Sequence, residues 1–209
     1  MKRSGEESRR KIIQVAKELF LEKGYDNTSI SDIVSGLGGM TKGVVYHHFS
    51  SKQDIFDAVL ANYSEGKIDS TSLEGETGFE KLKNLLYQDL KNLDKQAIGY
   101  TGRVFLLTPR KIGEQYLSLY EESIPLVEKL ILEGISDGSI QTEYPRELAE
   151  LFMLTSNFLI GLQLGNLEEE DAIRKIHFFK WTLDSLGLPL FDQDFLYQSE
   201  NLIHYLKKK

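Results

Sequence analysis

Residues 30–49 read ISDIVSGLGGMTKGVVYHHF, and this stretch decides the fold of the N-terminal region. It contains a short apolar helical pattern, a turn with the pair Gly38-Gly39, and a second short helical pattern. Two short helices joined by a tight glycine-containing turn are typical of a helix-turn-helix unit. Apolar residues hold the second helix to the first. The residues predicted to face outward are Thr41, Lys42, Gly43, Tyr46 and His47.

The outward face of the second helix predicts a function. Its small and polar residues would let the helix enter a DNA major groove, which is about 12 Å wide. Gly43 removes bulk at the closest approach, and Tyr46 and His47 can reach phosphates or base edges. Lys52, at the start of the next helix, would add a phosphate contact that the helix N-terminal amides reinforce. The stretch therefore predicts a surface that binds double-stranded DNA.

The rest of the chain repeats apolar residues at helical spacing, and no segment alternates as a strand would. We therefore predict an all-α protein, with a three-helix DNA-binding domain and a larger helical domain. The composition around Ser64–Gly78 shifts to Ser, Thr, Gly and Glu, which marks a boundary. The expected division is 1–50 for the DNA-binding domain, 51–72 for a connecting helix and 73–209 for a ligand-binding and dimerisation domain.

Composition and charge narrow the function classes. The chain has 209 residues and no cysteine, which excludes thiol catalysis, zinc-finger ligation and iron–sulfur clusters. Its formal net charge is −7, but residues 1–63 carry +1 and the remainder −8, which favours two separate roles. The N-terminus lacks the apolar run of a signal peptide, and the apolar stretch Leu151–Leu164 is shorter than a bilayer requires. A cytoplasmic protein without a membrane partner is expected.

Two helical segments in the second half, 146–165 and 168–187, carry more apolar surface than one side of a helical bundle usually buries. Such helices must be buried on several sides. Either they form the centre of a monomer core, or they complete their burial against a second copy of the chain. We favour a homodimer in which these two segments form a four-helix interface by two-fold symmetry.

Aromatic residues are dense in the second half, and pockets for small molecules are apolar with a few polar groups. We expect a small-molecule site, and its candidate residues are Phe105, Tyr116, Tyr120, Phe152 and Asn157. No catalytic residues, metal ligands or cofactor are predicted. The histidines lack the Glu-x-x-His spacing of a helical dimetal site. The motif from Gly134 to Gly138 resembles a nucleophile elbow, but no strand precedes it.

The N-terminal quarter resembles the TetR-type (TetR/AcrR) family of bacterial transcriptional regulators. The matching residues are spread over about fifty positions: Ile12, Ala16, Leu19, Phe20, Gly24-Tyr25, Thr28-Ser29-Ile30, Ile33, Gly39-Met40-Thr41-Lys42-Gly43, Tyr46-His47-His48-Phe49, Ser51-Lys52 and Ile55-Phe56. The turn from Leu37 to Met40 is one residue longer than the family's commonest form. The rest of the chain matches in length and helical character.

The resemblance implies a homodimer that binds a pseudo-palindromic operator and is released by a small-molecule effector. Thr28 and Ser29 would meet phosphates at the start of the second helix, and Tyr46 and Lys52 would clamp the DNA backbone. Repression is the tendency of the family. The alternative is a helical-bundle binding protein or enzyme whose N-terminal region makes protein contacts, and a third reading is a DNA-binding protein without an effector.

Overall fold

A computed structural model describes residues 2–63 and 73–208, with side chains described from Gly5 onward. Part of the expected connecting segment 51–72, namely 64–72, lies outside the described residues. The described residues form helices joined by turns and loops and contain no strand, which confirms the all-α prediction. Its helices are α1 (Lys2–Lys23), α2 (Ile30–Gly36), α3 (Lys42–His48), α4 (Lys52–Asn62), α5 (Gly78–Lys91), α6 (Leu93–Thr101), α7 (Arg103–Leu106), α8 (Pro109–Ser118), α9 (Ile124–Asp137), α10 (Pro145–Leu154), α11 (Glu169–Ser185) and α12 (Gln193–Lys207).

Backbone contacts divide the chain into two units. Among the described residues, the first unit contains 2–63 and 94–105, and the second contains 73–93 and 106–208. Residues 94–105, assigned by the sequence analysis to the larger domain, pack in the first unit. A Cβ added to Gly102 would lie 2.3 Å from the Phe56 ring, so the backbone of this segment lies directly against α4. The Lys17 ammonium, on α1, lies 3.0 Å from the Asp94 carboxylate.

Local chemistry explains the boundaries in the first unit. Gly24 ends α1 with a φ of +82°, in the left-handed region where glycine is favoured. Ser29 caps α2 in a reciprocal capping box with Asp32. Ser50 and Gln53 also have the spacing of a capping box, but the cap of α4 is Ser51, whose hydroxyl accepts a hydrogen bond from the Asp54 amide.

Four aromatic rings form the centre of the first unit. Phe20, Tyr25 and Phe56 contact one another with centroids 4.6 to 5.7 Å apart. Phe105 closes the cluster, 5.9 Å from Tyr25 and 5.8 Å from Phe56. Each ring is nearly excluded from solvent, and aromatic pairs at such distances contribute about 0.5–1.5 kcal/mol beyond their area burial.

The second unit is organised around a crossing of α5 and α9. Gly78 and Gly134 meet there so closely that a Cβ on Gly78 would lie 2.2 Å from the Gly134 nitrogen. Thr77 and Glu80 form a capping box at the start of α5. Asp137 also supports this end, since its carboxylate accepts the Gly78 amide at 2.7 Å. The start of one helix is thus held by the end of another.

The helical stretch Pro145–Asn166 combines α10, a π-helical segment from Thr155 to Gly161 and a short 3₁₀ turn. It is long and apolar enough to cross a membrane by length and composition alone, and 22% of its most apolar window is buried within the chain. The stretch is longer than the apolar segment Leu151–Leu164, whose length predicted no membrane span. A single helix of this kind is weak evidence for a membrane span, because core helices meet the same criterion. A second π-helical segment, Leu119–Ser123, joins α8 to α9.

Candidate nucleic-acid interface

The helix α3 presents a polar face to solvent. Val45 is fully buried beneath it, and Tyr46 is 48% exposed. The Lys42 ammonium lies 5.8 Å from the centre of the Tyr46 ring, so the cation and the phenol share one side of the helix. The residues of the predicted DNA-facing set, Thr41, Lys42, Gly43, Tyr46 and His47, are all exposed. They lie together on one continuous surface.

Two glycines shape the turn before α3. Gly38 has a φ of +59° and Gly39 a φ of +103°, and a Cβ at either position would meet nothing within 4 Å. Glycine is therefore favoured at these two positions because of the positive φ angles, and not because a larger side chain would lack space. Gly43 differs, because it is helical and a Cβ there would touch only the Thr41 hydroxyl, at 3.6 Å. The fold leaves Gly43 replaceable, so a demand for a small residue there would come from outside the chain.

The N-terminus of α2 already holds an anion of the protein itself. The Asp32 carboxylate accepts bonds from the amide and the hydroxyl of Ser29, both at 2.7 Å, and lies 3.2 Å from the Lys23 ammonium. These hydrogen bonds lower the pKa of Asp32 to about 2. Ser29 remains exposed beside this carboxylate.

Thr28 was predicted to meet phosphate, and the structure places its side chain inside the first unit. It is 1% exposed, and its hydroxyl donates to the carbonyl of Gly24 at 2.7 Å. In this conformation the side chain closes the end of α1 and does not reach the surface.

The Lys52 ammonium, also predicted to contact phosphate, is engaged by the protein. It donates to the carbonyl of Tyr25 at 2.8 Å and to that of Thr28 at 2.9 Å. It also lies 4.2 Å from the centre of the Tyr25 ring. Burial lowers the pKa of Lys52 and raises that of Tyr25 to about 12. Two of the three ammonium donors thus tie α4 to the connection between α1 and α2. No pattern in the sequence indicated this role.

The candidate ligand residues do not form one group. Phe105 belongs to the aromatic cluster of the first unit. Phe152 is 2% exposed and stacks on Phe179 at 5.8 Å in the core of the second unit.

Tyr116, Tyr120 and Asn157 lie in or beside the π-helical segments. The Tyr116 ring lies 4.8 Å from Tyr120 and 6.4 Å from Phe158. The Asn157 amide donates to the carbonyl of Met153 at 2.9 Å. Segments with π-helical turns are often found at functional sites. These three candidates therefore share one region of the second unit.

Sequence reasoning missed the charged groups of that region. The Arg146 guanidinium lies 5.9 Å from the centre of the Tyr120 ring and pairs with Glu128 at 3.0 Å and Glu150 at 2.8 Å. The spacing of Arg146 and Glu150, four residues apart on a helix, was the available signal. Among the described residues no group of three or more potential ligands is arranged to hold a metal ion.

Comparisons with known proteins agree with this geometry. Residues 12–59 match the family model for bacterial regulatory proteins of the tetR family. The repressor KstR2 of Rhodococcus jostii is 27% identical over 195 residues, covering 89% of this chain and 95% of the relative. The repressor DhaR of a Mycobacterium species is 25% identical over 154 residues, covering 71% and 77%.

A solved structure of a regulator has a similar fold. A TetR-family regulator from Pectobacterium atrosepticum superposes with a TM-score of 0.64 at 22% identity, covering 90% of this chain and 98% of the other. The matched family and these relatives are regulators and not enzymes. The matched segment contains α2, the glycine turn and α3 with its exposed polar face, and the chain is a DNA-binding transcriptional regulator similar to those of the TetR type.

Proposed function

We propose that the chain is a homodimeric repressor that binds a pseudo-palindromic operator through α3 and leaves it when a small-molecule effector binds the second unit. The observation that carries this proposal is the continuous exposed face of α3 inside the segment that matches the family. Two copies would occupy successive major grooves about 34–36 Å apart. Repression is supported by the names of the relatives KstR2 and DhaR. Since its partner is DNA, we expect the protein to act in the cytoplasm.

The DNA contacts of the proposal are those of the exposed face. Lys42 would bind a phosphate, and Tyr46 and His47 would reach phosphates or base edges. Ser29 would contact a phosphate at the edge of this exposed face. Thr28 and Lys52 would support binding without touching DNA. Their polar groups donate hydrogen bonds to backbone carbonyls of the connection between α1 and α2 and so position α2.

The experiment is fluorescence anisotropy with labelled DNA from upstream of the chain's own gene, at several salt concentrations. We expect saturation at one dimer or a few dimers per site and steep weakening with salt. Binding should exceed that of scrambled DNA by at least about 10³-fold. A folded chain that binds neither DNA at low salt would overturn the proposal.

Homodimerisation is supported by an unpartnered apolar surface on the second unit. Phe178 is 64% exposed and Trp181 is 65% exposed, with ring centroids 6.0 Å apart on α11. Leu151 and Leu159, in the Pro145–Asn166 stretch, are also exposed. Large exposed apolar surfaces of soluble proteins mark interaction sites. A second copy covering this surface would also account for the apolar character of the stretch without a membrane.

A matched pair of variants tests the dimer. Trp181→Glu places a charge within the proposed interface, and we expect a monomer by light scattering together with a loss of operator binding. Tyr197→Glu is the control, because Tyr197 is equally exposed, at 65%, but lies on α12. A Trp181→Glu protein that remains a dimer with unchanged DNA binding would contradict the proposed interface.

The effector site of the proposal lies where the two π-helical segments bring Tyr116, Tyr120 and Asn157 together. Their phenols and amide are polar groups set among aromatic rings, as recognition of a small organic molecule requires. A panel of small organic compounds would be added to the protein–DNA complex. We expect a releasing compound to lose its effect on the variant carrying both Tyr116→Ala and Asn157→Ala. A compound that releases both proteins equally would contradict this location.

A further inference from the structure

One arginine outside the predicted DNA-binding set lies against the C-terminal end of α3. The Arg9 guanidinium, on α1, is centred 5.2 Å from the ring of Phe49, the residue that caps α3. One turn earlier on α1, a Cβ added to Gly5 would come within 3.9 Å of His48. The face of α1 that carries Gly5 and Arg9 is therefore packed beside the C-terminal end of α3.

The charge of Arg9 is available to an outside partner. Its side chain is exposed, and in the part of the chain that the structure describes no carboxylate pairs with it. Phe49 is only 5% exposed, so the ring that holds the guanidinium is itself held in the core. An arginine stacked on a rigid ring loses less conformational freedom when it binds than a lysine on a flexible stem. The five guanidinium donors suit a phosphate group.

We propose that Arg9 is a DNA-backbone contact, which extends the interface beyond α3 onto α1. The inference rests on the proposed function, because it requires that α3 face a major groove. A helix lying in that groove has phosphates along both of its sides. Arg9 would bind a phosphate beside the C-terminal end of α3, while the predicted contacts at Lys42 and Ser29 cover its other end.

The test separates a specific contact from a general loss of charge. The variants are Arg9→Gln and, as the matched control, Lys11→Gln. Lys11 is exposed on the same helix and is about 200° around the axis from Arg9. Arg9→Lys keeps the charge but removes the planar group that stacks on Phe49. Circular dichroism checks that each variant is folded.

The readout is anisotropy with the labelled duplex from upstream of the chain's own gene, over a series of salt concentrations. The salt slope is the steepness with which the logarithm of the binding constant falls with the logarithm of salt concentration. Each lost phosphate contact reduces this slope by about 0.9, so a dimer with two Arg9→Gln substitutions should have a slope smaller by about 1.8. We expect binding roughly tenfold weaker for Arg9→Gln, an intermediate loss for Arg9→Lys, and an unchanged slope for Lys11→Gln.

The outcomes distinguish this inference from the function on which it rests. If the unchanged chain binds the duplex and Arg9→Gln keeps its salt slope, the contact does not exist and the proposed function stands. If Arg9→Gln and Lys11→Gln lose equal slope, a diffuse effect of charge replaces the contact. If the unchanged chain does not bind the DNA at low salt, both proposals are overturned.

Discussion

The two units of the chain are stabilised in different ways. In the first unit, helices begin and end at residues whose own side chains or backbones explain the boundary, such as Ser29, Ser51 and Gly24. In the second unit, the decisive contacts join residues far apart in the sequence, such as Gly78 with Gly134 and with Asp137. Local chemistry predicts a boundary from a few neighbouring residues, whereas a helix crossing depends on packing that no short stretch reveals.

The largest expected effect comes from the crossing of α5 and α9. Gly78→Ala would place a methyl group 2.2 Å from the Gly134 nitrogen and 2.4 Å from the Leu130 carbonyl oxygen. Both are backbone atoms, so the helices must separate. We expect the free energy of unfolding to fall by about 3 kcal/mol or more. Urea unfolding monitored by circular dichroism measures this loss.

Gly113→Ala is the control for that substitution. Gly113 is an exposed helical residue of α8, and a Cβ there would meet nothing within 4 Å. The same methyl group should be neutral or stabilise the protein by up to about 1 kcal/mol, because alanine restricts the unfolded chain. Equal effects at the two positions would mean that the close approach of α5 and α9 does not limit stability.

Much of the first unit could be predicted from sequence. The boundaries of α2 and α3 follow from a capping serine and two turn glycines, and the exposed set on α3 follows from helical spacing. The fate of Thr28 and Lys52 could not be predicted. Whether a polar side chain turns outward to a ligand or inward to a backbone carbonyl depends on the position of the α1–α2 connection, and spacing carries no information about that position.

The second unit was less predictable. Apolar residues at helical spacing indicated its helices. It did not indicate that 94–105 pack in the first unit, because a small residue such as Gly102 is informative only once its neighbour, Phe56, is known. Residue type alone indicated the candidate ligand residues, so these include Phe105 and Phe152, whose rings fill two different cores.

Lys52 gives a smaller expected effect and tests whether the first unit depends only on local chemistry. Lys52→Met removes the donor that serves the Tyr25 and Thr28 carbonyls. We expect a loss of stability of about 1–3 kcal/mol. The salt slope of DNA binding should stay close to that of the unchanged chain, because the ammonium acts within the protein.

Lys42→Met supplies the opposite pattern. Lys42 is exposed on α3, so stability should be unchanged while the salt slope falls by about 0.9 per contact. Urea unfolding and the anisotropy salt series measure the two quantities on the same samples. A fall in salt slope for Lys52→Met as large as that for Lys42→Met would instead assign Lys52 to a phosphate, as the family resemblance implied.

The smallest expected effect concerns the exposed cap of α2 and depends on pH. Hydrogen bonds from Ser29 and the nearby Lys23 ammonium lower the pKa of Asp32 to about 2, below its unfolded value of about 3.9. A carboxylate whose pKa is lowered by folding stabilises the folded state above its unfolded pKa, and this contribution is lost as pH falls toward the folded pKa.

Asp32→Asn should therefore reduce stability at neutral pH and flatten the fall in the urea midpoint between about pH 4 and about pH 2. Asp26→Asn, the same change at an exposed carboxylate of the first unit, should leave that fall in place. If both variants keep the full dependence on pH, the acid sensitivity arises elsewhere, and the cap of α2 does not depend on the charge of Asp32.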